Sequence, residues 1–169
     1  MKRNFDCTAV HESGHAVLSH FLGIGLKRVT VVQDGDSLGN SVDGGEYGAD
    51  AEDLKLIAEE AFWLRMAIAR YAGAEAVRRL APKSRWKSGA HNDYNWAAIA
   101  LEKITDDRQS LRMLQAYAMR RSRLLVAHYW PEIEHLARAL VREKTLEGQD
   151  AVKEILASFK ARRAGLLSY

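Results

Sequence analysis

The sequence predicts a mainly α-helical domain with a small β-sheet placed after the first helix. Only two prolines, Pro82 and Pro131, occur in 169 residues, so long helices are permitted almost everywhere. From Asp50 onward, helical patterns follow one another and are separated by short polar breaks. The run KRVTVV at 27–32 is rich in β-branched residues and indicates a strand. This length and a hydrophobic fraction of 47% fit one domain over 1–169 with a core of its own.

The N-terminal part is predicted to contain a helix, two strands and a second helix. Asn4 or Asp6 can cap the first helix, which runs to about Leu22 before the glycines of FLGIGL. A second short strand is expected at Ser37–Val42, within a stretch dense in Gly, Asp and Ser. A long helix then spans Asp50–Gly73, with a cap at its first residue and a glycine stop at its last.

The C-terminal half is predicted to be helical after the polar loop APKSRWKSGAHND. Three further helices are expected at Asp93–Thr105, Asp107–Tyr129 and Pro131–Lys144. A final helix is expected to begin near Gly148 and to fray into a basic tail at 158–169. The arginine-rich string RRSR at 120–123 is interpreted as a solvated face, with a protein contact as the sharper alternative.

Composition narrows the classes of partner and compartment. The net charge of +3 makes the chain only mildly basic. The sequence has no basic stretch interleaved with aromatic residues, so we expect no nucleic-acid partner. No stretch approaches the roughly 18 apolar residues of a membrane span, and the N-terminus has no signal-peptide pattern, so no membrane partner is expected. A single cysteine, Cys7, fits a cytoplasmic location, and its thiol is expected to be buried on the first helix.

The segment TAVHESGHAV at 8–17 carries the strongest chemical signal. His11 and His15 are four residues apart, so on a helix both imidazoles can reach one metal ion. Glu12 between them can act as a general base towards a water activated by zinc, which is the pattern of a zinc metallopeptidase. Gly14 is expected to leave space beside the site. The competing interpretation is a buried helix whose histidines bond to the backbone.

A third ligand decides between these interpretations. His20 is rotated away from the shared face, and His128 and His135 have the pattern of ordinary helix residues. The string AHND places His91 and Asp93 at a loop-to-helix junction, where the aspartate can be either a helix cap or a metal ligand. Pattern alone slightly favours the cap.

Four segments resemble the peptidase domain of the FtsH-type ATP-dependent zinc metalloproteases, in the same order. They are TAVHESGHAVLSHFLG, RVTVV with SLGNS, SGAHNDYNWAAIA, which is similar to the family's TGASND segment, and LARALVREKTLEGQDAVKEIL. YAGAEAV is a weaker echo of a glycine–alanine–glutamate segment between them. The resemblance spans about 5–157. It implies a gluzincin-like zinc site in which Asp93 is the third ligand beside His11 and His15, with Glu12 as the catalytic residue.

The sequence departs from that family at two places. No P-loop string G-x-x-x-x-G-K-[S/T] occurs, so the chain is expected to act without its own ATPase on peptides or unfolded segments. His91 stands where the family usually has a small residue. Its imidazole can be an extra ligand, bond to the bound water or point to solvent, and we place it outside the metal set as a substrate-contact or supporting residue. Because family members form hexamers driven by an ATPase, the resemblance implies a homo-oligomer or a separate ATPase as partner.

Two functions from different classes follow from these observations. The first is a zinc-dependent endopeptidase that holds extended substrates, with SLGNSV as either a substrate-pairing edge strand or an ordinary edge. The second is a non-catalytic binding or adaptor module derived from such a peptidase. The intact Glu12 favours the enzyme, since nothing structural requires a carboxylate there.

Overall fold

The fold is described by a computed structural model for residues 6–32, 40–42, 52–83 and 90–165. In these ranges the chain forms helices and a small antiparallel sheet, which confirms the predicted mainly α class. The helices are α1 (Cys7–Phe21), α2 (Glu52–Leu80), α3 (His91–Glu102), α4 (Arg108–His128), α5 (Trp130–Glu143) and α6 (Gly148–Arg163). The strands are β1 (Arg28–Thr30), β2 (Asn40–Val42) and β3 (Thr145–Glu147).

Helix α1 is the central element of the fold. Asp6 caps it as predicted, because its carboxylate accepts a hydrogen bond from the Thr8 backbone N–H at 2.9 Å. The alternative cap, Asn4, lies outside the described residues. Ten of the 15 residues of α1 are buried, since α2 packs along one side and α5 along another. A helix buried on several sides must hold its polar residues in defined surroundings, and these include two of its histidines.

The prediction that Cys7 is buried is wrong. Cys7 is exposed and has a free thiol, because it is the first residue of α1 and the burial of that helix begins two residues later, at Ala9.

Helix α2 is longer than predicted. It runs for 29 residues to Leu80, and Gly73 lies inside it rather than at its end. The expected cap, Asp50, lies outside the described residues. Glycine in a helix interior costs about 1 kcal/mol relative to alanine, so a local rule reads it as a stop. The reason that the helix carries a glycine here lies in its contact with α1.

The sheet has the strand order β2-β1-β3, with antiparallel pairing at both contacts of β1. Val29, at the centre of β1, is fully buried and pairs with Ser41 on one side and Leu146 on the other. Strand β3 was not predicted, because three residues between two helices show no alternation. It is followed by Gly148, the first residue of α6, whose backbone N–H donates to the Lys27 carbonyl at 2.7 Å. Any Cβ at Gly148 would collide with the Leu26 carbonyl.

The C-terminal helices begin and end close to their predicted bounds. Asp107 caps α4 by accepting from the Ser110 N–H at 2.7 Å, and Pro131 lies in the first turn of α5. Fully buried Glu132 of α5 forms an ion pair with Arg162 of α6 at 2.9 Å. Among the described residues, no helix has both the length and the apolar character that crossing a membrane requires.

Candidate metal centre

The two histidines of the HESGH string lie one turn apart on the side of α1 that faces α2. Their Nε2 atoms are 3.1 Å apart, and the rings meet edge to face with their centroids 4.7 Å apart. His15 is almost completely buried, and His11 is partly buried. Both imidazoles therefore point their Nε2 atoms at one small volume, as the helical spacing predicted.

Asp93 is brought to the same volume by α3. This helix begins at His91, so Asp93 is its third residue, and the capping position is held by Ala90, which makes no side-chain cap. The interpretation of Asp93 as a helix cap is therefore wrong. Its Oδ2 lies 2.9 Å from His11 Nε2 and 3.2 Å from His15 Nε2, across 82 residues of sequence from His11.

The orientation of the His15 ring is fixed from α2. Its Nδ1 lies 2.9 Å from the backbone carbonyl of Ala69, which can only accept a hydrogen bond. Nδ1 must therefore carry the proton and donate it, which leaves Nε2 as the atom that faces His11 and Asp93. A backbone carbonyl on the far nitrogen of a ligand histidine fixes its tautomer and raises its basicity as a ligand.

Space for the two rings comes from Gly73 of α2. A Cβ at this position would lie 2.7 Å from Cε1 and 2.8 Å from Nδ1 of His11, and it would overlap His15 Nε2. Contacts of carbon under 3.0 Å essentially do not occur, so only glycine lets α2 approach the rings this closely. The helix tolerates glycine in its interior because the histidine side chains occupy the place of its side chain.

Gly14 serves a different purpose from the one expected. A Cβ at Gly14 would meet the Ala72 carbonyl oxygen at 2.8 Å and Ala76 Cβ at 2.9 Å. This glycine allows close packing of the α1 and α2 backbones, whereas the room for the histidine rings is made by Gly73.

The charges in the centre are strongly coupled. Burial alone would lower the pKa of His15, but the Asp93 carboxylate outweighs it and the pKa rises to about 9. The pKa of Asp93 falls well below its usual range, because the two imidazoles outweigh the opposing effect of burial. Burial lowers the pKa of His11 despite its bond to Asp93. One positive charge is thus held by His15, although the shorter contact is made by His11, because Glu12 and the Ala69 carbonyl also favour protonated His15.

Glu12 lies beside this group and is only 5% exposed. Burial raises its pKa to about 7, a change that the nearby His15 opposes. Asp93 raises the same pKa further, and Arg70 lowers it to a smaller extent. A carboxyl group with this pKa holds and releases a proton readily near neutral pH.

The ligand atoms of His11, His15 and Asp93 lie within 4.8 Å of one another and form the metal-ligating group found among the described residues. Two imidazole nitrogens and one carboxylate oxygen suit zinc, and leave a fourth position open in a tetrahedral site. They also suit other divalent transition metals. Burying three polar groups this close together is costly unless a partner compensates them. A cation bound between them would be such a partner.

The other described histidines lie outside this group. His91 is exposed at the first residue of α3, and His128 is exposed at the end of α4. His20 stacks edge to face on Phe21, and His135 pairs with Glu154 at 2.7 Å. None of these four histidines lies in the group formed by His11, His15 and Asp93.

Two supporting residues, Ala69 and Gly73, were missed by sequence reasoning. Ala69 acts through its backbone, which leaves no trace in the identity of its side chain. Gly73 did leave a signal, because the apolar pattern of α2 continues on both sides of it as YAGAEAV. An isolated glycine inside a continuing helical pattern indicates close packing rather than a stop.

Comparison of the chain with models of protein families and with curated proteins found no match.

Proposed function

We propose that this protein is a zinc-dependent endopeptidase, with His11, His15 and Asp93 as metal ligands and Glu12 as the general base and acid. The observation that carries this proposal is the convergence of three ligand atoms, within 3.2 Å of one another, from helices α1 and α3. The order of the four sequence segments supports an FtsH-type peptidase fold for the same chain.

The residues of the centre can hold a divalent cation in a complex whose net charge is still positive. Two neutral imidazoles and one carboxylate neutralise one of its two charges, so a bound zinc ion acts as a Lewis acid on water and on a peptide carbonyl. The Ala69 carbonyl fixes the ring of His15 by a hydrogen bond. Gly73 leaves the space that the rings of His11 and His15 occupy. Such fixed surroundings reduce the reorganisation needed when the reaction occurs.

Glu12 supplies the proton transfers. With a pKa near 7 it is partly ionised at neutral pH, so it can accept a proton from the attacking water. The same carboxyl group can then give that proton to the leaving amine nitrogen as the peptide bond breaks. A buried carboxylate costs stability in a purely structural role, and this favours the enzyme over an adaptor module.

Substrates are proposed to be peptides or unfolded protein segments. Among the described strands, β2 lies at an edge of the sheet next to β1, and it contacts α1. An extended chain can add to such an edge by backbone hydrogen bonds. No P-loop string occurs in these 169 residues, so we do not assign to them the unfolding of substrates by ATP hydrolysis.

The test measures bound zinc and cleavage of an unstructured protein for the wild type and for Glu12→Gln. We expect about one zinc per chain in both proteins. Cleavage should be lost in Glu12→Gln and in wild type treated with chelator, and zinc should restore it only in the wild type. His135→Ala is the matched control, because that histidine pairs with Glu154 on the far helices and should keep both zinc and cleavage.

Three results separate the alternatives. Full zinc content with no cleavage of any unstructured protein would favour the adaptor module. Cleavage that persists in Glu12→Gln would remove Glu12 from the mechanism. Absence of zinc and of any other transition metal from purified and reconstituted protein would refute the metal centre.

A further inference from the structure

Helix α4 presents a stripe of large apolar side chains to solvent. Met113, Tyr117 and Leu124 are 66%, 53% and 51% exposed, although the opposite side of the same helix is buried at Ala118, Ser122 and Val126. We call Met113, Tyr117 and Leu124 the α4 stripe. Single exposed apolar residues are ordinary, but three aligned on one helix face indicate a surface that something covers.

The three residues are aligned by helical geometry. At 100° per residue they fall within about 40° of arc around the helix, along about 16 Å of its length. Their spacing matches alternate a and d positions of a heptad pattern, with Arg120 at the d position between Tyr117 and Leu124. A stripe this narrow is typical of a helix–helix seam and narrower than the apolar face of a helix packed on a core.

The charge around the stripe has one sign. Helix α4 has 21 residues with five arginines and no acidic residue. Arg120 lies within the stripe and Arg121 beside it, and both are exposed. Arg123 is different, because its guanidinium is bonded to the buried Glu75 of α2 at 3.1 Å. Arg120 and Arg121 thus border an apolar seam with positive charge that no acidic residue of α4 offsets.

We propose that the α4 stripe binds an acidic amphipathic helix of a partner protein. Apolar residues of that helix at a and d spacing would cover Met113, Tyr117 and Leu124, and carboxylates beside them would pair with Arg120 and Arg121. Complementary charges at the flanking positions of paired helices set partner choice and orientation. This surface is independent of the metal centre, so the proposal does not rest on the peptidase activity.

Two other classes of macromolecule fit the surface less well. A helix that lies on a membrane needs an apolar face of 100° or more, whereas the α4 stripe covers about 40° and has Arg120 within it. A nucleic acid would neutralise the arginines but would leave Met113 and Leu124 against phosphates, where apolar side chains gain nothing.

The test uses synthetic helical peptides of about three heptads, labelled with a fluorophore and titrated with the full chain. One peptide has leucine at a and d and glutamate at e and g, so that like charges keep it from pairing with itself. A second has lysine in place of glutamate, and a third has serine in place of leucine. We expect the acidic leucine peptide to bind wild type and the other two to bind at least about tenfold more weakly.

Variants locate the binding surface. Leu124→Glu and Arg120→Glu should each weaken binding of the acidic peptide at least about tenfold. Arg120→Glu should also gain affinity for the lysine peptide. Val141→Glu is the matched control, because Val141 is an exposed apolar residue of α5 and its change should leave binding unaltered. Circular dichroism of each variant confirms that the fold is kept, since all three positions are exposed.

Several outcomes would overturn the proposal. One is failure of the acidic leucine peptide to bind. Another is binding of the serine peptide as tightly as the acidic leucine peptide, which would mean that charge attraction alone accounts for the binding. If wild type self-associates and Leu124→Glu abolishes this, the stripe is covered by a second copy. If vesicles containing phosphatidylserine bind with the same dependence on Leu124 while the peptide does not, the surface contacts lipid.

Discussion

Replacing Gly73 by alanine tests how closely helix α2 supports the metal centre. The new Cβ would lie 2.7 Å and 2.8 Å from two atoms of the His11 ring and would overlap Nε2 of His15. Ordinary contacts begin at 3.4 Å, so the His11 ring would have to move by about 0.7 Å to reach that distance, and Nε2 of His15 by more. Ligand positions must be kept within about 0.5 Å to function. We therefore expect zinc affinity to fall by about 10-fold to 100-fold, as for loss of a supporting contact.

The effect on folding should be small by comparison. Overpacking costs about 1–3 kcal/mol, but alanine in a helix interior recovers about 1 kcal/mol relative to glycine. The His11 ring is partly exposed, so it can turn aside in the metal-free protein. Urea unfolding of metal-free Gly73→Ala should show a loss of no more than about 2 kcal/mol.

Gly14→Ala supplies the matched control on the opposite helix. Its Cβ would meet the backbone carbonyl of Ala72 at 2.8 Å, and a backbone atom cannot turn aside. We expect the larger loss of stability in Gly14→Ala and the larger loss of zinc affinity in Gly73→Ala. Zinc affinity is measured by competition with a chelator. Wild-type affinity in Gly73→Ala would refute the assignment of this glycine to the site.

Three further predictions concern other parts of the structure. Zinc affinity should rise roughly tenfold per pH unit from pH 6.5 to 8.5, because zinc must displace the proton that His15 holds up to a pKa of about 9; a flat profile in competition titrations would contradict this. Arg162→Met should lower the free energy of unfolding by about 3–5 kcal/mol, because it leaves the fully buried Glu132 unpaired. Arg138→Met, at an exposed pair, should change it by less than about 0.5 kcal/mol, and equal effects in urea unfolding would contradict the account. Gly148→Ala should cost more than about 3 kcal/mol through its collision with the Leu26 carbonyl, and a thermal melt like that of wild type would refute that close approach.

Much of the helical framework could be predicted from local signals. Asp6 and Asp107 are caps whose side chains bond to the next turn, and a cap is determined by residues within four positions of it. The spacing of His11 and His15 likewise requires only that the segment be a helix.

The errors arose where the outcome depends on a contact distant in sequence. Gly73 was read as a stop, because the histidine rings that occupy its space come from another helix. Pattern leaves Asp93 between cap and ligand, because its position within α3 and its approach to His11 depend on how α3 packs against α2. Strand β3 pairs with β1, far away in the chain, and three residues carry no strand signal of their own.

The central claim is that His11, His15 and Asp93 together hold one metal ion. The most direct measurement is the zinc content, after equilibration with a metal buffer, of wild type, Asp93→Ala and His91→Ala. His91 is the matched control, because it lies two residues from Asp93 on the same helix but is exposed. We expect about one zinc per chain in wild type and in His91→Ala, and less than about a tenth of that in Asp93→Ala. Retention of zinc by Asp93→Ala together with its loss from His91→Ala would contradict the account.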